Sequence, residues 1–192
     1  MTAAPDYCEP VVGWRVWSLV ADDGRARLGS HVSPTVWQPG RELNATCDVK
    51  RRELRCPWRV HPTGHAAPAP RCTCGVHAMV DVRSLNTYLT PAARPYAWLR
   101  PLVHHVIGRV ALWGDVVEGR RGWRAARAYP NELWLPPLDV DREEVPGSEA
   151  VAIDLADYGV PVHICDGRTA REVIETLAGA APARGLGRSI SL

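Results

Sequence analysis

Apolar positions in the first fifth of the chain fall in β-branched and aromatic blocks, and helical spacing becomes frequent only near the end. Val11 to Val20 reads as a strand. Asp22-Asp-Gly24 supplies a turn with a glycine able to take positive φ, and Arg25 to Leu28 forms the returning strand of a hairpin. Ser33 to Trp37 is a short extended piece, Gln38-Pro-Gly40 turns the chain, and Leu43 to Val49 is another short strand. The clearest β signal runs from Val106 to Leu135. Within it, Val106 to Glu118 is a long strand that Gly108 and Gly114 should bend or bulge. Gly119-Arg-Arg-Gly122 is a turn, Trp123 to Tyr129 returns, and Leu133 to Leu135 is a separate strand after Pro130.

Helical spacing marks Asp81 to Leu89, with Asp81 as cap and Pro91 beyond the end. Tyr96 to His105 fits either a short helix or a loop. Ser148 to Tyr158 places Val151, Leu155 and Tyr158 on one helical face, with Gly159 as a stop. Val160 to Cys165 is a strand. Thr169 and Glu172 match a capping box, followed by Val173, Ile174 and Leu177 and ended by Gly179. The expected fold is therefore α+β and mainly β, a small bent or barrel-like sheet with a C-terminal helix–strand–helix unit. The expected division is a β-rich zinc-binding domain over residues 1–137, the appended unit over 138–180, and a flexible tail over 181–192.

From Lys50 to Ala78 periodicity is lost, and the stretch holds Pro57, Pro62, Pro68 and Pro70. Something other than a hydrophobic face must order it. Four of the six cysteines, Cys47, Cys56, Cys72 and Cys74, fall here or at its border, with His61, His65 and His77. Cys8 and Cys165 stand apart. A tetrahedral Zn²⁺ needs four soft or borderline donors at about 2.0–2.3 Å. Cys72-Thr-Cys74 gives two from one tight loop, and Gly75 lets the backbone bend there. Pro68 and Pro70 stiffen the path from His65, lowering the entropy lost in closing it. Cys47, at the end of an expected strand, is the choice for the fourth ligand. Cys56 is its main competitor, with His61 and His77 behind, and an iron–sulfur cluster on the four thiols is a further reading. Zn²⁺ is the expected cofactor, and its binding energy would be folding energy for this stretch.

Residues 9–17, 35–40, 65–68 with 72–78, and 106–114 followed by 126–130 resemble a group of small uncharacterised actinobacterial proteins, over most of residues 9 to 135. The resemblance implies that Cys47, His65, Cys72 and Cys74 are the shared ligand-type positions and that Cys56 lies in extra length. It carries no activity.

Composition narrows the function. The net charge of +2 is too balanced for a protein that holds nucleic acid or membrane by bulk charge. No apolar run approaches the roughly 20 residues of a membrane span, and residues 1–13 lack a basic start followed by an apolar core, so a cytoplasmic protein is expected. Only Lys50 among 23 basic residues is a lysine, and eight Trp stand beside no Phe. Arg forks and Trp faces suit phosphates and stacked bases. The hairpin around Gly119–Gly122 gathers Arg109, Trp113, Arg120, Arg121, Trp123 and Arg124, with Arg127, as a candidate nucleic-acid or nucleotide face. A bent-strand barrel with such a face is similar in architecture to the PUA and ASCH-type barrels, a fold analogy only.

No H-E-x-x-H, G-x-S-x-G, Walker, G-x-G-x-x-G or deaminase pattern occurs. Adjacent His104 and His105 should point to opposite sides of a strand, and Asp115 with Glu118 form no carboxylate dyad. Cys165, next to a helix N-terminus, reads mainly as a structural thiol, with a nucleophile as the minor reading. The leading expectation is a zinc-stabilised binding module for nucleic acid or a nucleotide. The alternatives are a zinc-dependent hydrolase with an open metal position and a protein–protein adaptor.

Overall fold

A computed structural model describes residues 9–31, 33, 35–47, 65–89, 102–137 and 147–180. Seven strands form one sheet: β1 Val11–Asp22, β2 Arg25–Ser30, β3 Leu43–Asn44, β4 Val76–Met79, β5 Leu102–Gly119, β6 Gly122–Leu135 and β7 Val162–Ile164. A 3-10 helix spans Val82–Tyr88, α1 spans Ser148–Ala156 and α2 spans Ala170–Ala180. The protein is α+β and mainly β.

The sheet closes on itself. β1 pairs with β5, β5 with β6, β6 with β4, and β4 returns to β1 through Trp14 opposite Met79. The result is a ring-like sheet, with β2 added outside β1 and β3 outside β6. Asp23 and Gly24 both take positive φ, as a two-residue hairpin turn matching strand twist requires, and Asp22 then faces Arg25. Of the two glycines expected to bend or bulge β5, Gly114 sits at a bulge and Gly108 instead stays in register and permits a close approach. Gly114, at φ +73°, sits where Trp113 faces Arg127 and Val116 faces Ala125, so β5 carries one extra residue. Gly108 admits the Glu132 carbonyl and the Trp17 ring where a Cβ would stand.

Several boundaries differ from expectation. β6 runs unbroken through Pro130, because Pro130 lies at a register shift where Val110 faces Pro130 and Arg109 faces Glu132. Asn131 is the extra residue there, and proline is tolerated where the ladder is already interrupted. Val76–Ala78, expected to be aperiodic, belong to strand Val76–Met79, which buries Val76 and Ala78 and is paired along its length with β6. β3 covers only Leu43–Asn44, and α2 continues through Gly179. Residues 90–101, which include most of the ambiguous Tyr96–His105 stretch, lie outside the described residues; 102–105 belong to β5.

The main core fills the ring with Trp17, Leu19, Val110, Leu112, Leu133 and their neighbours, and α1 adds Val151 and Leu155. A second core lies on the outer face of β1 and β5. There Val16 and Ile107 meet Val82 and Leu85 of the 3-10 helix and Val173 and Ile174 of α2. Asp81 caps the 3-10 helix through the Arg83 amide. The capping box of α2 is formed: the Thr169 amide donates to Glu172 Oε2 at 2.7 Å, and the Glu172 amide to Thr169 Oγ1 at 3.3 Å. This holds the Glu172 carboxyl below its ordinary range. β7 pairs parallel with Leu133–Leu135, so the helix–strand–helix unit contributes to the sheet and to both cores. The expected boundary after 137 falls at the edge of the described residues, and the tail 181–192 lies outside them.

Tyr158 ties α1 to the hairpin. Its hydroxyl donates to the Trp37 carbonyl at 2.6 Å and accepts from the Leu28 amide at 3.0 Å. Burial pushes its pKa up to about 12. Tyr158→Phe keeps the ring but leaves a buried donor and acceptor unpaired, which costs about 1–3 kcal/mol. Chemical denaturation should show that loss, and unchanged stability would contradict this role for the hydroxyl.

Candidate metal centre

The aperiodic stretch is held on one edge of β6. Along that edge β4 occupies residues Gly122–Ala125 and β3 occupies Arg127–Ala128. The Ala45 amide extends the second pairing by donating to the Ala126 carbonyl at 2.7 Å. The chain therefore leaves β6 at Cys47 and returns to it from Cys74, and the two ends lie side by side.

Four donors meet in the gap. Cys47, His65, Cys72 and Cys74 bring their ligand atoms to within 4.8 Å of one another. Cys47 Sγ is 3.7 Å from Cys72 Sγ, and His65 Nε2 is 3.4 Å from Cys74 Sγ. Around a tetrahedral ion two sulfurs stand about 3.8 Å apart and a sulfur and a nitrogen about 3.6 Å. The two separations match those edges and are far too long for a disulfide, whose S–S bond is about 2.05 Å. All four side chains are free thiols or imidazole, Cys72 and Cys74 buried and the other two half-buried.

Local chemistry explains the loop's shape. The Cys72 amide donates to the Ala69 carbonyl at 3.0 Å and closes a turn. Gly75 takes φ +116°, and a Cβ there would press on Pro68 and on Arg124, both 3.0 Å away, so only glycine fits. Arg124, from β6, reaches under the loop. Its guanidinium donates to the carbonyls of Cys72, of Cys74 at 3.0 Å and of Ala69 at 3.3 Å. His77 Nε2 donates to the Thr73 carbonyl at 2.9 Å. These bonds turn the Cys72–Cys74 carbonyls toward donors and leave the side chains facing His65 and Cys47. Burial, with Cys72 and Cys74 beside it, raises the Cys47 pKa to about 11. A cation that takes the thiolates must displace protons, which makes its affinity rise with pH.

The expected ligands Cys47, His65, Cys72 and Cys74 are brought together; of their competitors, His77 is turned to Thr73, and Cys56 and His61 lie outside the described residues. The Arg/Trp residues are distributed differently. Arg124 faces the loop carbonyls, and Arg127 reaches Glu42 at 3.7 Å. Arg109 lies over the Trp14 ring, 5.8 Å from its centroid. Arg120 and Arg121 are exposed at the hairpin tip, and Trp113 and Trp123 are half-buried. Arg109 stands roughly 30 Å along β5 from that tip, so the set does not form one compact patch. His104 is buried and His105 half-buried. Asp115 and Glu118 are both exposed. Burial raises the Cys165 pKa, which opposes a nucleophilic role.

Sequence reasoning missed the anchoring role of Arg124. An arginine facing a C-x-C loop across a strand pair carries no signal until the β4–β6 register is known.

The fold and the quartet define a small β-rich protein with a thiol and imidazole cluster close enough to hold a metal ion. Comparisons with protein families, with curated proteins and with solved structures found no match for this chain.

Arg124→Met keeps bulk under the loop but removes its carbonyl contacts. It should lower affinity for a divalent ion roughly 10–100-fold, measured by chelator competition. Wild-type affinity in that variant would contradict the anchoring role.

Proposed function

We propose that this chain is a zinc-stabilised binding module in which the ion is structural. The observation that carries this reading is the convergence of three cysteines and one histidine within 4.8 Å. Three thiolates with one imidazole are the donor set of closed zinc sites, and they fill a tetrahedron without water. The hydrolase reading needs an open fourth position, which a four-donor set does not favour. Thiols that must stay reduced suit a cytoplasmic setting.

The ion's role follows from the loop. Among its described residues the buried apolar ones are Ala67, Cys72 and Cys74, too few to order residues 65–75 by burial alone. Structural zinc supplies about 10–16 kcal/mol in small peptide sites, enough to close it. For binding, Arg120 and Arg121 remain the exposed cations best placed for a phosphate backbone, with Trp123 beside them in sequence. The adaptor reading has no observation in its favour.

Purified protein should carry about one zinc per chain, as expected if the one such donor cluster among the described residues is filled. Cys72→Ser should lose it with a stability cost of about 3 kcal/mol or more. At roughly 2–4 °C per kcal/mol for a chain of this size, that is a readily measured fall in melting temperature. A metal-free protein that melts like the wild type would overturn the structural role. Oligonucleotide binding, if it uses the tip, should weaken with salt, and Arg120→Ala with Arg121→Ala should reduce the log–log slope by about 2. A flat salt profile would remove nucleic acid from the proposal.

A further inference from the structure

A second site lies between the ring and the 3-10 helix. It is a cavity of about 220 Å³, and Trp14, Val16, Met79, Leu85, Tyr88 and His31 line it beside Arg15. The walls are mainly apolar. Arg15 supplies a charge that they do not.

Arg15 comes from β1 and is strongly desolvated, so that burial lowers its pKa to about 10 and it stays cationic at neutral pH. It donates to the His77 carbonyl at 2.6 Å and to Ser30 Oγ at 3.3 Å. Its guanidinium also lies 5.1 Å from the Trp37 ring centroid and 5.9 Å from that of Trp17. Among the described residues no carboxylate pairs with it, and its buried Nε has no hydrogen-bond partner. A guanidinium has five N–H donors. Two are engaged, so most of the fork is unused. A buried cation without a counter-charge is costly, and it gains most from an anion that reaches it.

We infer that this cavity binds a small aromatic carboxylate, whose carboxylate pairs with Arg15 while its ring lies among Trp14, Tyr88, Met79 and Leu85. Guanidinium and carboxylate match in shape and charge, and the pair is frequently bidentate. The size agrees, since a dry apolar cavity of roughly 150 Å³ already accommodates benzene. A phosphate dianion would bring two charges to one cation in apolar walls, which is unfavourable. This site lies apart from the metal quartet and does not depend on the zinc reading. A link exists through His77, whose carbonyl accepts from Arg15 and whose ring donates to Thr73 in the metal loop.

Benzoate is the probe, with benzamide as its neutral isostere, titrated into the full-length protein by NMR. Benzoate should give saturable shifts of the Trp14 indole, the Met79 methyl and the Leu85 methyls, with benzamide roughly tenfold weaker or more, about 1.4 kcal/mol. Arg15→Gln should weaken benzoate more than it weakens benzamide, narrowing the ratio between the two probes. Because that variant removes contacts that hold β1 to β4, the benzoate–benzamide comparison on the wild type decides the matter alone. No saturable shift at millimolar benzoate, equal binding of the two probes, or shifts located elsewhere would each overturn the inference.

Discussion

The structure depends on joining two pieces of chain along one edge of β6. β3 ends there and β4 begins there, and among the described residues between them only Ala67, Cys72 and Cys74 form a buried apolar cluster. Fixing backbone costs about 1–2 kcal/mol per residue, more than a cluster of three small side chains offsets over residues 65–75. Four converging donors and the Arg124 contacts to the loop carbonyls bring its two ends together. The ring is completed through β4, so anything that secures the start of β4 also secures the closure between β1 and β6.

Arginine carries an unusual share of this architecture, and it does so inside the molecule as well as outside. Arg124 serves loop carbonyls and Arg15 serves the His77 carbonyl and Ser30. At Arg15 the planar fork reaches two different acceptors through its two terminal nitrogens, which the single ammonium of lysine does not reproduce. The two arginines flank β4 from opposite sides of its pairing, one on β6 and one on β1. His77 lies between them in sequence order along the strand and makes contact with both arrangements, through its ring and through its carbonyl.

Much of this was legible in the residues. Asp22-Asp-Gly24, Asp81 and the Thr169–Glu172 pair act locally, so their chemistry could be read without knowing the fold. The donor set Cys47, His65, Cys72 and Cys74 was visible because thiols and imidazoles clustered where periodicity failed. Strand β4 was not visible, since four residues containing a histidine give too short an alternation and are stabilised by pairing to β6. Pro130 suggested a break for the same reason: a bulge is a property of two strands together. The Arg/Trp set looked coherent in sequence because the hairpin brings its members close in number. Along the extended ladder they separate, and Arg124 turns to the loop.

X-ray absorption at the zinc edge tests the central claim most directly. The account predicts a first shell of three sulfurs at about 2.3 Å and one nitrogen at about 2.0–2.1 Å, with no oxygen. A shell containing a water oxygen, or one dominated by nitrogen and oxygen, would contradict a closed site built by Cys47, His65, Cys72 and Cys74.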